Sequence, residues 1–446
     1  MAITAQRPQP VRDAGTGAAA PVAAQLVARL FAGVDSDVAV ELADGSPLHT
    51  PTARIAATIV IRHPGVLRAL ITRSSDLAAG EAVVRGDIAV RGDVERAFAA
   101  LDAVAAARAS ADWITIATLA ARLPRLPASQ RTPRSRGPAH LRGRLHSLER
   151  DRAAVSYHYD VSNEFYALWL DHEMTYSCAY FRDASNSLDQ AQIDKLEHIC
   201  RKLRLREGER FLDIGCGWGS LIRFAARKRG VHAVGITLSA KQADYARARI
   251  RAEGLEDRCS VELRDYRELG ALGAFDKAAS IGMVEHVGDA LLPTYFNAAF
   301  EALKPGGLFL NHGIITQRSR DRGMGRFFAH GSRFIEQYVF PDGELPRLAM
   351  MSEAAADAGF EISDVENLRE HYALTLRHWS AGLERHEAEA RALVGDETYN
   401  VWRFYVAGSA HGFATGRMGV VQMLLAKRDA GGRSRVPLTR ADLYAN

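Results

Sequence analysis

Downstream of about residue 205 the chain alternates short apolar runs with longer amphipathic ones. Arg-Phe-Leu-Asp-Ile (210–214) leads through glycines into Ser-Leu-Ile-Arg-Phe-Ala-Ala-Arg (220–227), which carries a helical spacing. This pattern predicts strands near 209–214, 231–236, 259–264, 275–281 and 306–312, with helices near 218–229, 239–254 and 291–303. Strands alternating with helices at this period indicate an α/β fold with a doubly wound parallel sheet. Lys-Pro-Gly-Gly (304–307) ends the last helix, and Met418 to Lys427 reads as a terminal strand. The stretch from Thr316 to Gly416 is too long for a loop and predicts a helical insertion over the carboxyl ends of the strands. Its aromatics are Phe327, Phe328, Phe334, Tyr338, Phe340, Trp379, Trp402, Phe404 and Tyr405. Each taken singly reads as core, but together they point to an apolar substrate.

Upstream the pattern changes. Val-Ala-Val-Glu-Leu (38–42), Ala-Ala-Thr-Ile-Val-Ile (56–61) and Ala-Val-Val-Arg-Gly-Asp-Ile-Ala-Val-Arg-Gly-Asp (82–93) predict short strands of a small α+β domain. Both Arg-Gly-Asp triplets are turn chemistry between strands. The expected organisation is a disordered start and amphipathic helix (1–35), an accessory domain (36–121), an Arg/Pro-rich linker (122–152) and a catalytic domain (153–446). Asp13, Pro21 and Arg29 break up the alanine-rich N-terminus and argue against a signal peptide.

Candidate chemistry begins at Gly215, Gly217 and Gly219, at the end of the first predicted strand of the sheet. Backbone without Cβ atoms there admits a nucleotide-like ligand closely. The Gly-x-Gly-x-Gly spacing differs from the dinucleotide fingerprint, and no Lys-Ser or Lys-Thr follows to make a P-loop. The ligand these features favour is S-adenosylmethionine, with Asp213 facing its amino acid portion. The next strand ends on Thr237 and Ser239 where an acid for the ribose would be usual, so Gln242 is the substitute donor and acceptor. Asp265 and Tyr266 stand where an adenine could be bonded and stacked.

Six segments in series resemble the cyclopropane-fatty-acyl-phospholipid synthases and mycolic acid cyclopropane synthases. They are Tyr-His-Tyr-Asp-Val-Ser-Asn-Glu-Phe-Tyr (157–166), Met-Thr-Tyr-Ser-Cys-Ala-Tyr-Phe (174–181), the glycine loop, Gly-Ile-Thr-Leu-Ser (235–239), Met-Val-Glu-His-Val-Gly (283–288) and Tyr-Val-Phe-Pro-Asp-Gly (338–343). The resemblance runs from about Ser156 to Arg428 and implies a class I methyltransferase fold. It also implies methylene transfer from S-adenosylmethionine to the cis double bond of an unsaturated phospholipid, closing a cyclopropane ring. Tyr176, Ser177 and Leu238 join the cofactor set by the same resemblance.

An isolated alkene is a weak nucleophile, so this reaction demands close alignment and exclusion of water. The carbocation it produces must then lose a proton from the transferred methyl group. The resemblance assigns that step to a bound bicarbonate held at Cys178, Glu285, His312, Ile314 and Tyr372. His312, Tyr372 and backbone amides can donate to an anion, while Glu285 can hold the anion's own proton. Gly313 departs from the family pattern and implies an altered pocket floor; Arg318 to Arg326 form a basic stretch without an assigned role.

Four cysteines without Cys-x-x-Cys or His-x-x-x-His spacing indicate neither zinc nor a disulfide framework, and suggest a reduced, cytoplasmic setting. At 446 residues and 47% hydrophobic content, more than one core is affordable. No run approaches the roughly 18 apolar residues of a membrane span, so a lipid would be met from the membrane surface. Nine arginines against two acids between Arg122 and Arg152 make that linker a candidate peripheral contact with the inner face of the membrane. A solvated basic linker fits equally, and the absence of aromatic platforms disfavours nucleic acid. Oligomeric state is not legible, and a homodimer stays open. A methylene-branched product is the first alternative; an inactive lipid-binding protein and a small-molecule or protein methyltransferase are the others.

Overall fold

The central strands of the main sheet are apolar runs buried on both faces, the signature of a sheet covered by helices. In the computed structural model, which describes residues 16–73, 76–107, 112–126, 137–317 and 332–444, two sheets organise the chain. The N-terminal sheet comprises β1 (Val38–Leu42), β2 (Pro47–His49), β3 (Ala57–Ile61) and β4 (Ile88–Gly92) in the order β2-β1-β3-β4. Around it lie helices Thr16–Leu30, Gly65–Arg73, Asp76–Val84, Val94–Ala107 and Trp113–Arg122. Ala82-Val83-Val84, expected as strand, ends a helix instead. The first Arg-Gly-Asp therefore turns a helix into β4, with Gly86 at φ +72°, and the second turns β4 into a helix. Residues 1–15 of the expected disordered start lie outside the described residues.

The second sheet has seven strands: β5 (Arg210–Ile214), β6 (His232–Thr237), β7 (Cys259–Leu263), β8 (Phe275–Ile281), β9 (Leu303–Thr316), β10 (Glu361–Asn367) and β11 (Met418–Ala426). Their order is β10-β11-β9-β8-β5-β6-β7. β5 to β9 are mutually parallel, and β11 runs antiparallel between β9 and β10. Helices Ser220–Arg229, Ala240–Ala252 and Leu292–Glu301 occupy the predicted connections. Chain order reverses between β5 and β8, which opens a crevice at their carboxyl ends.

The insertion is more than a helical cover. Helix Leu348–Asp357 packs on the core beneath the sheet, and β10 extends the sheet edge. Helices Arg333–Tyr338, Arg369–Arg385 and Glu387–Ala414 form the cover proper. The N-terminal unit docks on this cover. Asn400 Nδ2 donates to the carbonyls of Val83 and Val84, Glu95 pairs with Arg377, and Asp102 engages His411 and Arg417. Gly80 has no Cβ because the Phe334 ring lies where one would stand.

Within the expected linker, residues 127–136 lie outside the described residues. Residues 137–147 carry neither helix nor strand, and a helix starts at Leu148, where Ser147 caps Leu148–Tyr159.

Candidate active site

Asp213 ends β5, and the three glycines after it have φ of +85°, +53° and +83°, a backbone that side chains strain. A Cβ on Gly215 would stand 2.9 Å from Met283 Cγ, and one on Gly219 would strike Ala246 at the same distance. Gly217 is different: its nearest neighbour would be Gln242 Nε2 at 4.0 Å, so its bare face is turned to open space. The segment 157–166 braces this loop. Trp218 Nε1 donates to Asn163 Oδ1 at 2.8 Å, and Ser239 Oγ to Asp160 Oδ1 at 2.7 Å.

A cavity of about 120 Å³ opens over the glycines. All ten sequence-predicted cofactor residues line it: Tyr176, Ser177, Asp213, Gly215, Gly217, Thr237, Leu238, Gln242, Asp265 and Tyr266. Thr237 Oγ1 donates to Gln242 Oε1 at 2.8 Å, which aims the amide nitrogen toward Gly217. At the far end the carboxylate of Asp265 is engaged by Arg267, whose Nη2 also reaches Asp151 at 2.7 Å. Tyr266 lines the cavity while its ring packs edge-on against Tyr295.

The cavity fits a zwitterionic nucleoside. Asp213 is buried with Oδ1 lacking any protein partner, and burial pushes its pKa to about 7 against the pull of Lys195. An oxygen left this way is costly unless a ligand satisfies it.

A second cavity, about 330 Å³, adjoins the first, and Tyr159, Tyr176, Ser177 and Gly282 line both. Cys178, Glu285, His312, Ile314 and Tyr372 all line this second space. β9 and the short helix Val284–His286 supply its polar end; the cover helices supply Leu376, Tyr405, Ser409 and Phe413. Of the insertion's aromatics, Phe340 and Tyr405 face this cavity, whereas Phe334, Trp379, Trp402 and Phe404 are packed in the core. Phe327 and Phe328 lie outside the described residues, as does the basic stretch 318–326.

Glu285 is 2% exposed, and burial raises its pKa to about 7, the Ile314 amide opposing. That amide donates to Oε1 at 2.6 Å, while Oε2 has no protein partner. The Ile314 backbone, expected to hold an anion directly, is thus spent on Glu285. His312 is buried and held near pKa 3, first by burial and then by Lys195 and Lys202, so it is neutral. Gln422 Nε2 lies 3.2 Å from its Nδ1; with that amide donating, the proton sits on Nε2. Burial pushes the Cys178 thiol up, and it donates to the Ala179 carbonyl, so it is a neutral lining group and no nucleophile. Burial likewise keeps the hydroxyls of Tyr159, Tyr176 and Tyr372 protonated.

Gly313 does not line the cavity. On β9 its neighbours His312 and Ile314 do, and its missing Cβ would fall 2.3 Å from Val284 Cγ1. The departure at this position accommodates Val284 and leaves the pocket floor unaltered.

Sequence reasoning missed Lys195, Arg267 and Gln422. The signal for Lys195 was its place among Leu196, Ile199 and Cys200 on the apolar face of helix Leu188–Leu203. Among the described residues no cluster of three or more His, Cys, Asp or Glu is arranged to hold a metal ion.

A seven-stranded sheet of this order, with a glycine-lined cavity at its switch point, defines an S-adenosylmethionine-dependent methyltransferase. The chain matches the family described as mycolic acid cyclopropane synthetase over residues 146–423, and it belongs to that family. A probable fatty acid methyltransferase of Pseudomonas putida is 43% identical over 87% of this chain and 91% of its own length. Cyclopropane mycolic acid synthase 1 of Mycobacterium tuberculosis is 36% identical over 62% of this chain and 97% of its own. Among solved structures, mycolic acid cyclopropane synthase CmaA1 complexed with SAH and CTAB aligns with a TM-score of 0.58 at 34% identity, covering 61% of this chain and 97% of that one.

Proposed function

We propose that this protein transfers a methylene group from S-adenosylmethionine to the cis double bond of an unsaturated phospholipid acyl chain, closing a cyclopropane ring. The observation that carries this reading is the junction of the two cavities at Tyr159, Tyr176, Ser177 and Gly282. A polar nucleoside site there opens onto an apolar, aromatic-walled one. S-adenosylmethionine, when bound, supplies an electrophilic methyl group. The glycine loop, Thr237 and Gln242 would orient it, and the buried walls keep water from the junction. The faces of Tyr159, Tyr176, Tyr372 and Tyr405 suit positive charge developing on the lipid. Glu285 Oε2, His312, Tyr372 and the Cys178 segment would hold a bicarbonate, which would supply the base. An ionised Glu285 accepts a proton at Oε2, the one oxygen the protein leaves free.

A lipid surface suits the mouth of the second cavity. Leu145 lines it and is 51% exposed, Leu148 is 45% exposed, and Arg142, Arg144 and Arg152 are exposed beside them with Glu149. Leucines set among arginines match an anionic headgroup layer over acyl chains. None of the described helices is long and apolar enough to cross a membrane, and peripheral contact at the inner face is the proposed mode.

A free fatty acid substrate with a methylene-branched product is the second reading, favoured by the description of the Pseudomonas putida relative. Initial rates of S-adenosylhomocysteine release on oleoyl phospholipid vesicles and on free oleic acid separate the two. Faster release on vesicles supports the phospholipid; release on oleic acid alone contradicts it.

A further inference from the structure

Lys195 is 2% exposed, yet it lines the cofactor cavity, and its ammonium bonds Ser177, another lining residue. It makes a 2.9 Å hydrogen bond to Ser177 Oγ, and among the described residues no carboxylate lies within 4.0 Å of it. Its two nearest acidic influences are otherwise disposed. Asp171 accepts from the amides of Thr175 and Glu173, and Asp213 lines the same cavity with Oδ1 lacking a protein partner. An ammonium carries three donors, and burying one with a single neutral acceptor is unfavourable. Burial accordingly pulls Lys195 down to about 8, with Asp171, Cys178 and Asp213 opposing.

Lys195, Ser177 and Asp213 line this cavity together, and Asp213 on β5 is two strands away from Asp265 and Tyr266, which follow β7. A buried cation and a buried carboxylate with an open oxygen are complementary to a ligand carrying both charges. We propose that Lys195, together with Ser177, binds the carboxylate of the methionine half of S-adenosylmethionine. The proposal rests on the cofactor reading above and adds the group that reads the amino acid end. Charge-assisted hydrogen bonds in a water-poor site are among the stronger contacts a protein makes.

The test compares S-adenosylmethionine with its decarboxylated analogue by calorimetry, for the wild type and for Lys195→Gln and Lys195→Met. The wild type is expected to prefer the carboxylated ligand by about 10- to 100-fold. Both variants should bring that preference within about threefold while affinity for the decarboxylated analogue holds. A preference that persists in the variants overturns the assignment. Equal losses for both ligands also overturn it, because Lys195 would then serve folding and not recognition. A wild-type protein that binds neither ligand contradicts the cofactor reading itself.

Discussion

The Ile314 amide donates a 2.6 Å hydrogen bond to Oε1 of Glu285 and leaves Oε2 of the same carboxyl without a protein partner. One oxygen fixes the side chain's orientation and the other is available at the polar end of an apolar cavity. Glu285→Gln retains size and the Ile314 contact but cannot accept a proton at that atom. S-adenosylhomocysteine affinity should stay within about threefold, and turnover should fall about 100-fold or more, the scale of losing the group that holds the base and takes up its proton. Calorimetry and product release on one preparation check both. Normal turnover would remove Glu285 from the chemistry.

Glu285 and Asp213 are each raised to about 7 by burial, but they sit in different cavities. At saturating cofactor, kcat should fall as pH drops below about 7 as Glu285 takes up a proton. In Glu285→Gln the residual rate should lack that limb. Stability moves the opposite way. Both groups bind protons more tightly folded than unfolded, so their own contribution to the stability of the ligand-free protein is lost as pH rises from about 4 to about 7, while His312, held near 3, contributes with the opposite sign. Denaturant unfolding of the wild type and of Glu285→Gln across that range checks the sign: wild-type stability minus that of the variant should fall as pH rises.

Gly313 accommodates Val284, whose Cγ1 would lie 2.3 Å from a Cβ at that position. Gly313→Thr should destabilise the protein by about 1–3 kcal/mol, the usual cost of overpacking. Adding Val284→Ala should recover much of the loss, a coupling that a double-mutant cycle of unfolding free energies measures. Additive effects would contradict the contact.

At Gly217 the protein leaves room for a Cβ, but φ is +53° and the open side faces the cofactor cavity. Gly217→Val should therefore lower the unfolding temperature by a few degrees and abolish measurable S-adenosylhomocysteine binding. Binding within threefold of wild type would show that the ligand does not approach this backbone.

Much of the cofactor set was legible because its motifs stand at strand ends, and parallel strands deliver their carboxyl ends to one edge of the sheet; the second set came from the family resemblance, with Cys178 outside any strand and Tyr372 on helix Arg369–Arg385. Asp213, Thr237, Asp265 and Glu285 are far apart in sequence, but each stands at or just beyond the carboxyl end of a strand of the same sheet. What was not legible depended on tertiary context. β10 reads Glu-Ile-Ser-Asp-Val-Glu-Asn, polar and with Ile362 and Val365 exposed, so its sequence gives no strand signal and it falls within the stretch expected to be a helical insertion. Ala82-Val83-Val84 is apolar enough for a strand and became helical through packing. The pairing of Ile314 with Glu285, which takes that amide away from any anion, bridges 29 residues and leaves no trace in either motif.

The most direct measurement of the central claim is carbon NMR of lipid recovered after reaction of cis-monounsaturated phospholipid vesicles with S-adenosylmethionine labelled with ¹³C in its methyl group. Mass alone does not decide, because ring and methylene products are isomers. The account predicts an upfield ring-methylene signal in the acyl chain. A label found in an olefinic methylene, or absent from the lipid altogether, would contradict it.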